Sequence, residues 1–488
     1  MRTPRELIEL YWDRVWNQGE ADMVRELCHD PIVRHDPGCV TRLSHDEQIA
    51  RIKHRFELQA PFFTHEVLIA DDDCAVSVWN AHTRKGPRIE RCGIEVFRIV
   101  DGRFMDCWNS SYMDGFWGVE GDPGVPDDLP PPEMLETLEH ITPGWVQRVF
   151  AHACVQVPLV TLARLEPVST GNVSATARVH INYNIPSQTA PTSLIAKFHP
   201  KTPRPGGMAE KLGYYPREAA VYGLFGMDPP VQTPRLYYAE TGGAGTKVNL
   251  VLEDLGKDFV PGDQVKGCNA AEAEAVIDQL ARLHAHFLNS ERLGQIDWGI
   301  EHVLGAPELE AAYNAGILAF HERFSGQLSA EEFAIIEGFS PLIARWCDLR
   351  PKFVTLLHGD PRVDNVMFAA NEDGTPSAYL IDWQLARLGD PQMDVAYFLT
   401  GSLSPTDRRS CEMRLIRRHA ATLRAVDPQY TDDVALAAHR LNAVSGLAYT
   451  VASSYNIVST PASDALLLAL ARRNCSAVAD WESLNALN

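Results

Sequence analysis

The chain opens with apolar residues that return every three to four positions, the period of an amphipathic helix. This apolar face is formed by Leu7, Ile8, Tyr11, Val15 and Trp16. The pattern predicts further helices over about residues 21–28 and 44–58. Ser44 stands at the N-cap position of the latter, and Glu47 follows three residues later as in a capping box. The first 60 residues are therefore predicted to be mainly helical.

The apolar period then changes to two, the alternation of a half-buried β-strand. Residues 74–79 and 94–99 alternate in this way, and Asp101-Gly102 supplies a hairpin turn into the segment 103–112. Helices followed by a curled antiparallel sheet make an α+β plan. We therefore predict a cone-shaped α+β domain over residues 1–120.

A proline-rich segment ends this first domain. Residues 120–133 read EGDPGVPDDLPPPE, and their five prolines cannot continue a helix or a central strand. We expect a linker over residues 121–142. Residues 143–256 then show mainly strand patterns, and residues 257–488 mainly helical ones. This order predicts a second domain of two lobes, a small mixed lobe and a larger helical one.

The composition is that of a globular protein, with 45% hydrophobic and 22% charged residues. The formal net charge of −20, without a basic tail or stripe, argues against nucleic acid or an anionic membrane as the main partner. The ten cysteines form no C-x-x-C pair, which is typical of free thiols in a reducing compartment. The N-terminus does not resemble a signal peptide, and the longest aliphatic run is too short to span a bilayer. We expect a cytoplasmic protein.

Candidate chemistry is concentrated in the segment LLHGDPRVDN at residues 356–365 and in LIDWQ at residues 380–384. His358, Asp360 and Asn365 have the H-x-D-x-x-x-x-N spacing of a kinase catalytic loop. Asp382 follows an apolar run that reads as a buried strand. In such a site Asp360 would orient the acceptor hydroxyl, while Asn365 and Asp382 would supply oxygen ligands to Mg²⁺.

Phosphate contacts are predicted in the loop STGNVSAT, which begins at Ser169 and lies between two strands. Hydroxyl and backbone N–H groups of Ser169, Thr170, Gly171 and Asn172 could hold phosphate oxygens. The loop has one glycine and no G-x-G-x-x-G pattern. An ordinary hairpin is therefore an equally good interpretation.

Further nucleotide contacts are expected in the small lobe. Lys197 ends an apolar strand, and a helix with Glu218 follows; a Lys–Glu pair of this kind grips the α- and β-phosphates of ATP. Glu210 is the competing acid for this pair. The strand LVLEDL at residues 250–255 should lead to the hinge between the lobes. There we expect backbone contacts with adenine around Leu252 and Asp254.

Other polar residues in the second domain favour structural roles. His284 and His286 lie on an apolar helix and read as satisfied core histidines, and His358 is expected to shape its loop. For Asp364, a substrate or Mg²⁺ contact and a solvated loop acid are equally good interpretations. In GDPQMDVAY, Asp390 reads as a helix N-cap before Pro391. Asp394 in the first turn would brace the catalytic loop from behind.

The second domain resembles the aminoglycoside phosphotransferase superfamily, most of all its ecdysteroid-kinase-like branch. The resemblance covers about residue 143 to the C-terminus, and it rests on Lys197, Glu218 and the segments LVLEDLG, LARLHA, LLHGDPRVDNVMF, YLIDWQ and GDPQMDVAYFLTGSL. It implies ATP and Mg²⁺ as cofactors, with Asp360 as catalytic base, Asn365 and Asp382 on Mg²⁺, and Lys197 on ATP phosphates. The glycine-poor phosphate loop and Trp383, where relatives often carry Phe, depart from the family's pattern.

The first domain resembles the SnoaL-like polyketide-cyclase branch of the cone fold. The resemblance is carried by YWDRVWNQGEADMVREL, VRHDPG and FRIVDGRFMDCW. Members of that branch use a polar residue in the cone, and the candidates here are His35, Asp36, Asn109 and Asp114. Asp36 also precedes a proline, as turn residues often do. Four tryptophans are expected in the core rather than on a cofactor: Trp12, Trp16, Trp79 and Trp108. Ligand binding or dimer formation is the favoured role of this domain.

The sequence thus predicts an ATP- and Mg²⁺-dependent kinase that phosphorylates a hydroxyl group of a small molecule. The lack of an A-P-E-type segment after Asp382 argues against a protein substrate. By analogy with its relatives, the acceptor would be polycyclic or sterol-like. The alternatives are a pseudoenzyme that binds nucleotide or ligand, and a bifunctional enzyme whose first domain is an isomerase or cyclase. A homodimer formed through the N-terminal domain is an expected assembly.

Overall fold

The structure of the protein is a computed structural model, and it describes residues 2–85, 90–110, 112–114, 116–117, 129–169, 174–199, 213–226, 228–256, 258–296 and 304–488. The chain divides into two compact units. The first consists of residues 1–133, 139–165 and 179–192, and the second of residues 134–138, 166–178 and 193–488. Helices and sheets occur in both units. The predicted α+β class is confirmed.

The first unit begins with helices, as the apolar period predicts. They are α1 (Pro4–Leu10), a π-helix (Tyr11–Asn17), α2 (Val24–Leu27) and α3 (His45–Gln59). The capping box of Ser44 and Glu47 is present at the start of α3. The helix expected over residues 21–28 is shorter, because Ala21–Met23 form a 3₁₀ turn and Cys28 already begins a strand.

A sheet packs against these helices in the first unit. Its strands are β1 (Cys28–Asp36), β2 (Cys39–Leu43), β3 (Pro61–Ala70), β4 (Cys74–Thr83), β5 (Glu90–Val100), β6 (Arg103–Asn109) and β7 (Met113–Asp114). The order is β2-β1-β6-β5-β4-β3, with β7 on β5. The pair β1–β6 is parallel, so the sheet is mixed where the sequence predicts an antiparallel one. Asp101-Gly102 forms the predicted hairpin turn.

The core of the first unit is rich in aromatic rings. Trp12, Trp16 and Trp79 are buried in it, as expected. The expectation for Trp108 is wrong: this residue is 40% exposed and stacks on His35 with 4.7 Å between ring centroids. The reason is the pleat of β6, which turns Cys107 and Asn109 inward and the residue between them outward.

A five-stranded sheet follows in the chain. It is preceded by α4 (Pro143–His152), which Thr142 caps. Its strands are β8 (Val160–Ser169), β9 (Ala175–Tyr183), β10 (Ser193–Phe198), β11 (Leu236–Gly242) and β12 (Lys247–Glu253), in the order β11-β12-β10-β9-β8. Between β10 and β11 the chain forms α5 (Tyr214–Phe225). A buried core of the second unit includes residues of α5 and β12.

The rest of the second unit is mainly helical. Its helices are α6 (Ala270–Phe287), α7 (Ala306–Phe324), α8 (Ala330–Phe339), α9 (Ile343–Cys347), α10 (Pro391–Ser402), α11 (Pro405–Arg424), α12 (Asp432–Asn442), α13 (Ser445–Ser454), α14 (Pro461–Asp480) and α15 (Ser483–Leu487). Short strands form two small sheets: β13 (Val260–Pro261), β15 (Val366–Ala370) and β16 (Pro376–Leu380) in one, β14 (Thr355–Leu357) and β17 (Arg387–Gly389) in the other. Within the described ranges, every helix is too short or too polar to cross a bilayer.

Candidate active site

The catalytic-loop motif lies between β14 and β15, directly after a fully buried strand. Asp360 and Asn365 are 7% and 6% exposed, so the loop is packed rather than solvated. Nδ2 of Asn365 donates to the backbone oxygen of Asp360 at 2.9 Å and to its Oδ2 at 3.0 Å. The two predicted site residues are therefore in direct contact, and the asparagine fixes the rotamer of the aspartate.

Lys197 on β10 joins two acidic residues from distant parts of the second unit. Its Nζ donates to Oε2 of Glu218 on α5 and to Oδ1 of Asp382, both at 2.7 Å. Burial alone would lower the pKa of Lys197, but the two carboxylates outweigh it and the net shift is upward. The lysine is thus held as a cation, as a phosphate-binding lysine must be. The structure brings together the predicted Lys–Glu pair and, in addition, Asp382.

Asp382 occupies an unusual backbone conformation for its position after β16. Its φ of 67° and ψ of 72° lie in the left-handed region, which a non-glycine residue adopts only when its surroundings require it. Its Oδ2 accepts from Nε2 of Gln384 at 3.1 Å, and the preceding Ile381 N–H donates to the backbone oxygen of Asn365 at 3.0 Å. This last bond ties the segment of Asp382 to the catalytic loop, so the backbone segments that carry the two predicted Mg²⁺ ligands are adjacent.

The catalytic loop is supported from behind by Asp394 in the first turn of α10, as the sequence predicts. Its carboxylate accepts the N–H of His358 at 2.6 Å and the N–H of Gly359 at 3.1 Å, and it contacts Nε2 of His284 at 3.3 Å. Burial raises the pKa of Asp394, yet the bond to His284 and the electrostatic effects of His284, His358 and Arg387 lower this pKa overall. The carboxylate is therefore a charged anchor. His284 is a satisfied core residue because its Nδ1 also contacts His419 at 2.9 Å.

His358 shapes the loop through hydrogen bonds, which agrees with the role predicted for it. Its Nε2 lies 3.0 Å from the backbone oxygen of Ile381, and its Nδ1 is 3.4 Å from the N–H of Asp360. Burial lowers the pKa of His358. The ring also packs against Trp383 at 4.5 Å, and Trp383 is fully buried. The tryptophan at this position therefore serves as a core residue.

Two residues that the sequence analysis did not select surround Asp360. The hydroxyl of Tyr397 on α10 donates to Oδ1 of Asp360 at 2.9 Å. Nε of Arg362 lies 3.5 Å from Oδ2, and the pKa of Arg362 is raised mainly by this carboxylate. A signal for Tyr397 was available, since it follows Asp394 by three residues and shares its helix face. Arg362 stands inside the motif itself.

The other predicted nucleotide contacts lie outside the described residues or have side chains that serve the fold. Ser169 ends β8, and Thr170, Gly171 and Asn172 lie outside the described residues, as does Glu210. Leu252 is a core residue on β12. The carboxylate of Asp254 accepts from Nε of Arg178 and from the hydroxyl of Ser193, both at 2.6 Å. The side chain of Asp254 is thus structural, and backbone contacts with adenine at Leu252 and Asp254 stay a prediction.

Other neighbours have clear structural roles. Arg217, beside Glu218, is tied into the fold, since its Nη1 donates to the backbone oxygen of Ala386 at 3.2 Å. Oδ1 of Asp364 accepts the N–H of Gln264 at 2.8 Å, so this acid anchors a neighbouring loop. Asp390 caps α10 as predicted, accepting the N–H of Gln392 at 2.8 Å. The expectation that His286 is a core residue is wrong, because the residue is exposed on the outer face of α6; its Nε2 lies 3.3 Å from Nη1 of Arg292.

In the first unit, the candidates with described side chains have separate partners. His35 pairs with Asp106 and Asp36 with Arg34, both at 3.0 Å, and the side chain of Asp114 lies outside the described part. Asp36 also ends β1 before the turn at Pro37-Gly38, as a turn residue would. Asn109 is buried at the end of β6. A cavity of about 100 Å³ in this unit is instead lined by Glu95 and arginines. The alternation of β5 places Glu95 on the same face as buried Phe97, and this pattern in the sequence could have identified Glu95 as an inward-facing acid.

Comparison with known proteins places this site in a family. Residues 171–426, more than half of the chain, match the ecdysteroid kinase-like family. The chain belongs to the ecdysteroid kinase-like family. The match includes Lys197, Glu218 and the whole catalytic-loop motif. Residues 8–106 match the SnoaL-like domain, as the resemblance of the first domain predicts. The resemblances inferred for both parts of the chain are therefore confirmed, and the second unit is kinase-like.

Individual relatives are distant. The human protein named acyl-CoA dehydrogenase family member 11 is 26% identical over 199 residues, which cover 40% of this chain and 24% of that protein. The chain therefore spans about a quarter of this curated relative. A choline kinase from Cryptosporidium parvum is similar in structure with a TM-score of 0.44 and 11% identity, covering 70% of this chain and 94% of that chain. An epoxide hydrolase from M. tuberculosis is similar with a TM-score of 0.20 and 16% identity, covering 22% and 80%.

Proposed function

We propose that the second unit is an ATP- and Mg²⁺-dependent kinase that transfers a phosphate to a hydroxyl group of a small molecule. The observation that carries this proposal is the double ion pair of Lys197 with Glu218 and Asp382 at 2.7 Å. It joins the strand that would grip nucleotide phosphates to the acid that would hold the cation. In phosphoryl transfer, such positioning and charge neutralisation supply most of the catalysis.

The residues present fit a bound Mg²⁺. Nδ2 of Asn365 donates to Asp360, and its Oδ1 has no hydrogen-bond partner among the described residues. This oxygen is therefore available to a cation. Asp382 adds a carboxylate that is 26% exposed. No described group of three His, Cys, Asp or Glu could share a metal ion, which agrees with a cation held by few protein oxygens and by substrate phosphates. When bound, the ion would neutralise charge on those phosphates.

The remaining steps fall to the protein's own side chains. Asp360 would accept a hydrogen bond from the acceptor hydroxyl and take its proton, with its carboxylate held by Tyr397 and Asn365. The ammonium of Lys197 would donate to phosphate oxygens of ATP. Asp394 holds the backbone N–H groups of His358 and Gly359, which fixes the position of the loop that carries Asp360.

For the acceptor, we propose a hydroxylated small molecule, with polycyclic or sterol-like compounds as the first candidates. The support is the family's name together with the SnoaL-like domain in the same chain. Function in the cytoplasm and a homodimer formed through the N-terminal unit stay predictions as well. Light scattering of the whole protein would test the latter by its mass in solution.

The test is phosphorylation of a panel of acceptors. The protein would be incubated with ATP and Mg²⁺ and with a sterol diol, choline, an aminoglycoside and a hydroxyacyl-CoA, the last because curated relatives are named acyl-CoA dehydrogenase family members. Mass spectrometry would then detect the gain of one phosphate. We expect one hydroxyl compound to gain it, and the Asp382→Asn variant or added EDTA to abolish the gain. Binding of ATP without any phosphorylated product, or a product that forms without a divalent cation, would favour a pseudoenzyme or another chemistry.

A further inference from the structure

The cavity of the first unit contains a buried arginine that forms no direct ion pair among the described residues. This cavity of about 100 Å³ lies between the π-helix, α3 and the inner face of the sheet. Arg51 on α3 lines it, and Nη2 of Arg51 is buried with no hydrogen-bond partner among the described residues. The described residues also offer Arg51 no ion pair with an acid. A buried guanidinium donor without an acceptor costs free energy, so an anion is expected to occupy this place.

Arg51 is held in position by a buried network. Its Nε donates to Oε1 of Gln48 at 3.0 Å, and Nε2 of Gln48 donates to the hydroxyl of Tyr11 at 3.1 Å. Gln48 is fully buried and Tyr11 is 2% exposed. The guanidinium also lies over the ring of Trp16, 5.3 Å from its centroid. Such a preorganised side chain is typical of a binding site, because its ordering cost was met during folding.

The other charged residues of the cavity do not neutralise Arg51. Arg34 also lines it and adds positive charge, although Nη2 of Arg34 is engaged by Asp36 at 3.0 Å. Glu95 faces the same space and accepts from the hydroxyl of Tyr112 at 3.3 Å. Among the described residues, four arginines line the cavity (Arg34, Arg51, Arg55 and Arg91) and Glu95 is its one acid, so the lining retains net positive charge.

The walls of the cavity supply aromatic surface and two further donors. Trp12 and Trp79 are 2% and 3% exposed, and neither indole Nε1 has a hydrogen-bond partner among the described residues. Phe63 lies between them, with its ring centroid 4.8 Å from that of Trp12 and 5.1 Å from that of Trp79. A volume of this order accommodates a small ring. Flat apolar walls with unpartnered donors fit an aromatic ring that carries an acceptor group.

We propose that the first unit binds a small aromatic carboxylate, whose ring lies among Trp12, Phe63 and Trp79 and whose carboxylate accepts from Arg51. The carboxylate would supply the missing partner of Nη2, and a planar anion matches the fork of the guanidinium. The site is distinct from the phosphotransfer residues. It therefore adds a second ligand to the one that the second unit would phosphorylate.

The test is a charge series measured by calorimetry on the whole protein. Benzoate, benzyl alcohol and benzylamine share one ring and differ in charge. We expect benzoate to bind at least about tenfold more tightly than benzyl alcohol, and benzylamine to bind most weakly, since charge-assisted hydrogen bonds add to ring burial. Equal affinities for benzoate and benzyl alcohol, or no binding of benzoate at millimolar concentrations, would overturn the proposal.

Variants of Arg51 assign the effect to this residue. Arg51→Gln should weaken benzoate binding at least about tenfold and benzyl alcohol binding less than about threefold, whereas Arg51→Lys should retain part of the preference for the anion. The control is Arg25→Gln, because Arg25 is an exposed arginine of the same unit that is paired with Asp46. Thermal melts would identify any variant that fails to fold, and the wild-type series decides the question in that case. Benzoate affinity that is unchanged in Arg51→Gln would contradict the assignment.

Discussion

At the scale of single residues, the environment of Asp360 decides how it can act. Both carboxylate oxygens accept hydrogen bonds, one from Tyr397 and the other from Asn365. Each bond removes rotational freedom from a side chain that must meet a hydroxyl in one orientation. Burial raises the pKa of Tyr397 well above its usual range, so the phenol remains a donor throughout the neutral pH range. Tyr397 is therefore a positioning residue for Asp360.

The Tyr397→Phe variant tests this role. A hydrogen bond to a charged group contributes about 1.5–3 kcal/mol, so its loss should lower kcat about tenfold or more. The KM for ATP should stay within about twofold, because the tyrosine hydroxyl donates to Asp360 and to no other described residue of the candidate site. Steady-state kinetics measures both constants. The matched control is Tyr455→Phe on the surface, where we expect no change. A variant with a raised KM and an unchanged kcat would point to ATP binding instead.

At the scale of elements, the N-terminus of α10 is the support of the active site. Asp390 caps the helix, and Asp394 in its first turn accepts two N–H groups of the catalytic loop. Behind Asp394, a buried chain of contacts runs through His284, His419 and Gln392. This arrangement couples the position of the loop to the packing of α6, α10 and α11.

Replacing Asp394 by Asn should weaken this support. The amide retains one acceptor oxygen and directs an NH₂ group at a buried N–H, which costs about 1–3 kcal/mol of unfolding free energy. Urea denaturation measures this loss, and phosphorylation assays should show a loss of kcat. Asp427→Asn is the control, since Asp427 accepts from a single exposed N–H and should lose little. Equal stabilities of the Asp394 and Asp427 variants would contradict the bracing role.

Asp390 predicts a dependence of stability on pH. Burial raises the pKa of Asp390 to about 6 in the folded protein, against about 3.9 in the unfolded chain. An acid whose pKa is higher in the folded protein than in the unfolded chain stabilises the fold at pH values below the unfolded pKa. This stabilisation is lost as the pH rises through the folded pKa. From pH 4 to pH 7 the wild type should thus lose about 2–3 kcal/mol relative to Asp390→Asn. Asn is an equally good N-cap, so it serves as a matched reference.

Denaturant titrations of both proteins at several pH values measure this difference. We expect the stability curves of the wild type and of Asp390→Asn to diverge between pH 4 and pH 7, with the variant the more stable at neutral pH. Parallel curves over that range would show that Asp390 titrates normally.

At the scale of the whole molecule, local spacing predicted most of the catalytic centre. The H-x-D-x-x-x-x-N motif and Asp382 lie within 25 residues of one another, with adjacent buried strands to position them. The Lys197–Glu218 pair followed from the order of strand and helix. These features are encoded by neighbours in the chain, and the structure brings them together. Their catalytic roles stay predictions.

Features that depend on distant packing could not be predicted in this way. The ion pair of Asp254 with Arg178 joins β9 to the end of β12, and the bond from Gln264 to Asp364 joins two loops 100 residues apart. Arg178 and Gln264, the partners of these two acids, do not stand in a recognisable pattern. In the first unit the signal existed in part, because strand alternation turns Glu95 inward and Trp108 outward. Hydrophobicity alone favoured a buried tryptophan, and the pleat of the strand decided otherwise.

The most direct test of the central claim is phosphate transfer by the Asp360→Asn variant. Transfer from ATP to the acceptor found in the panel, or to water if none is found, would be followed for the wild type, for Asp360→Asn and for Asp364→Asn as a loop control. We predict that Asp360→Asn lowers kcat about 10²–10⁴-fold while the affinity of this variant for ATP changes less than about threefold. Asp364→Asn should remain active. Turnover by Asp360→Asn at the wild-type rate would contradict the central claim.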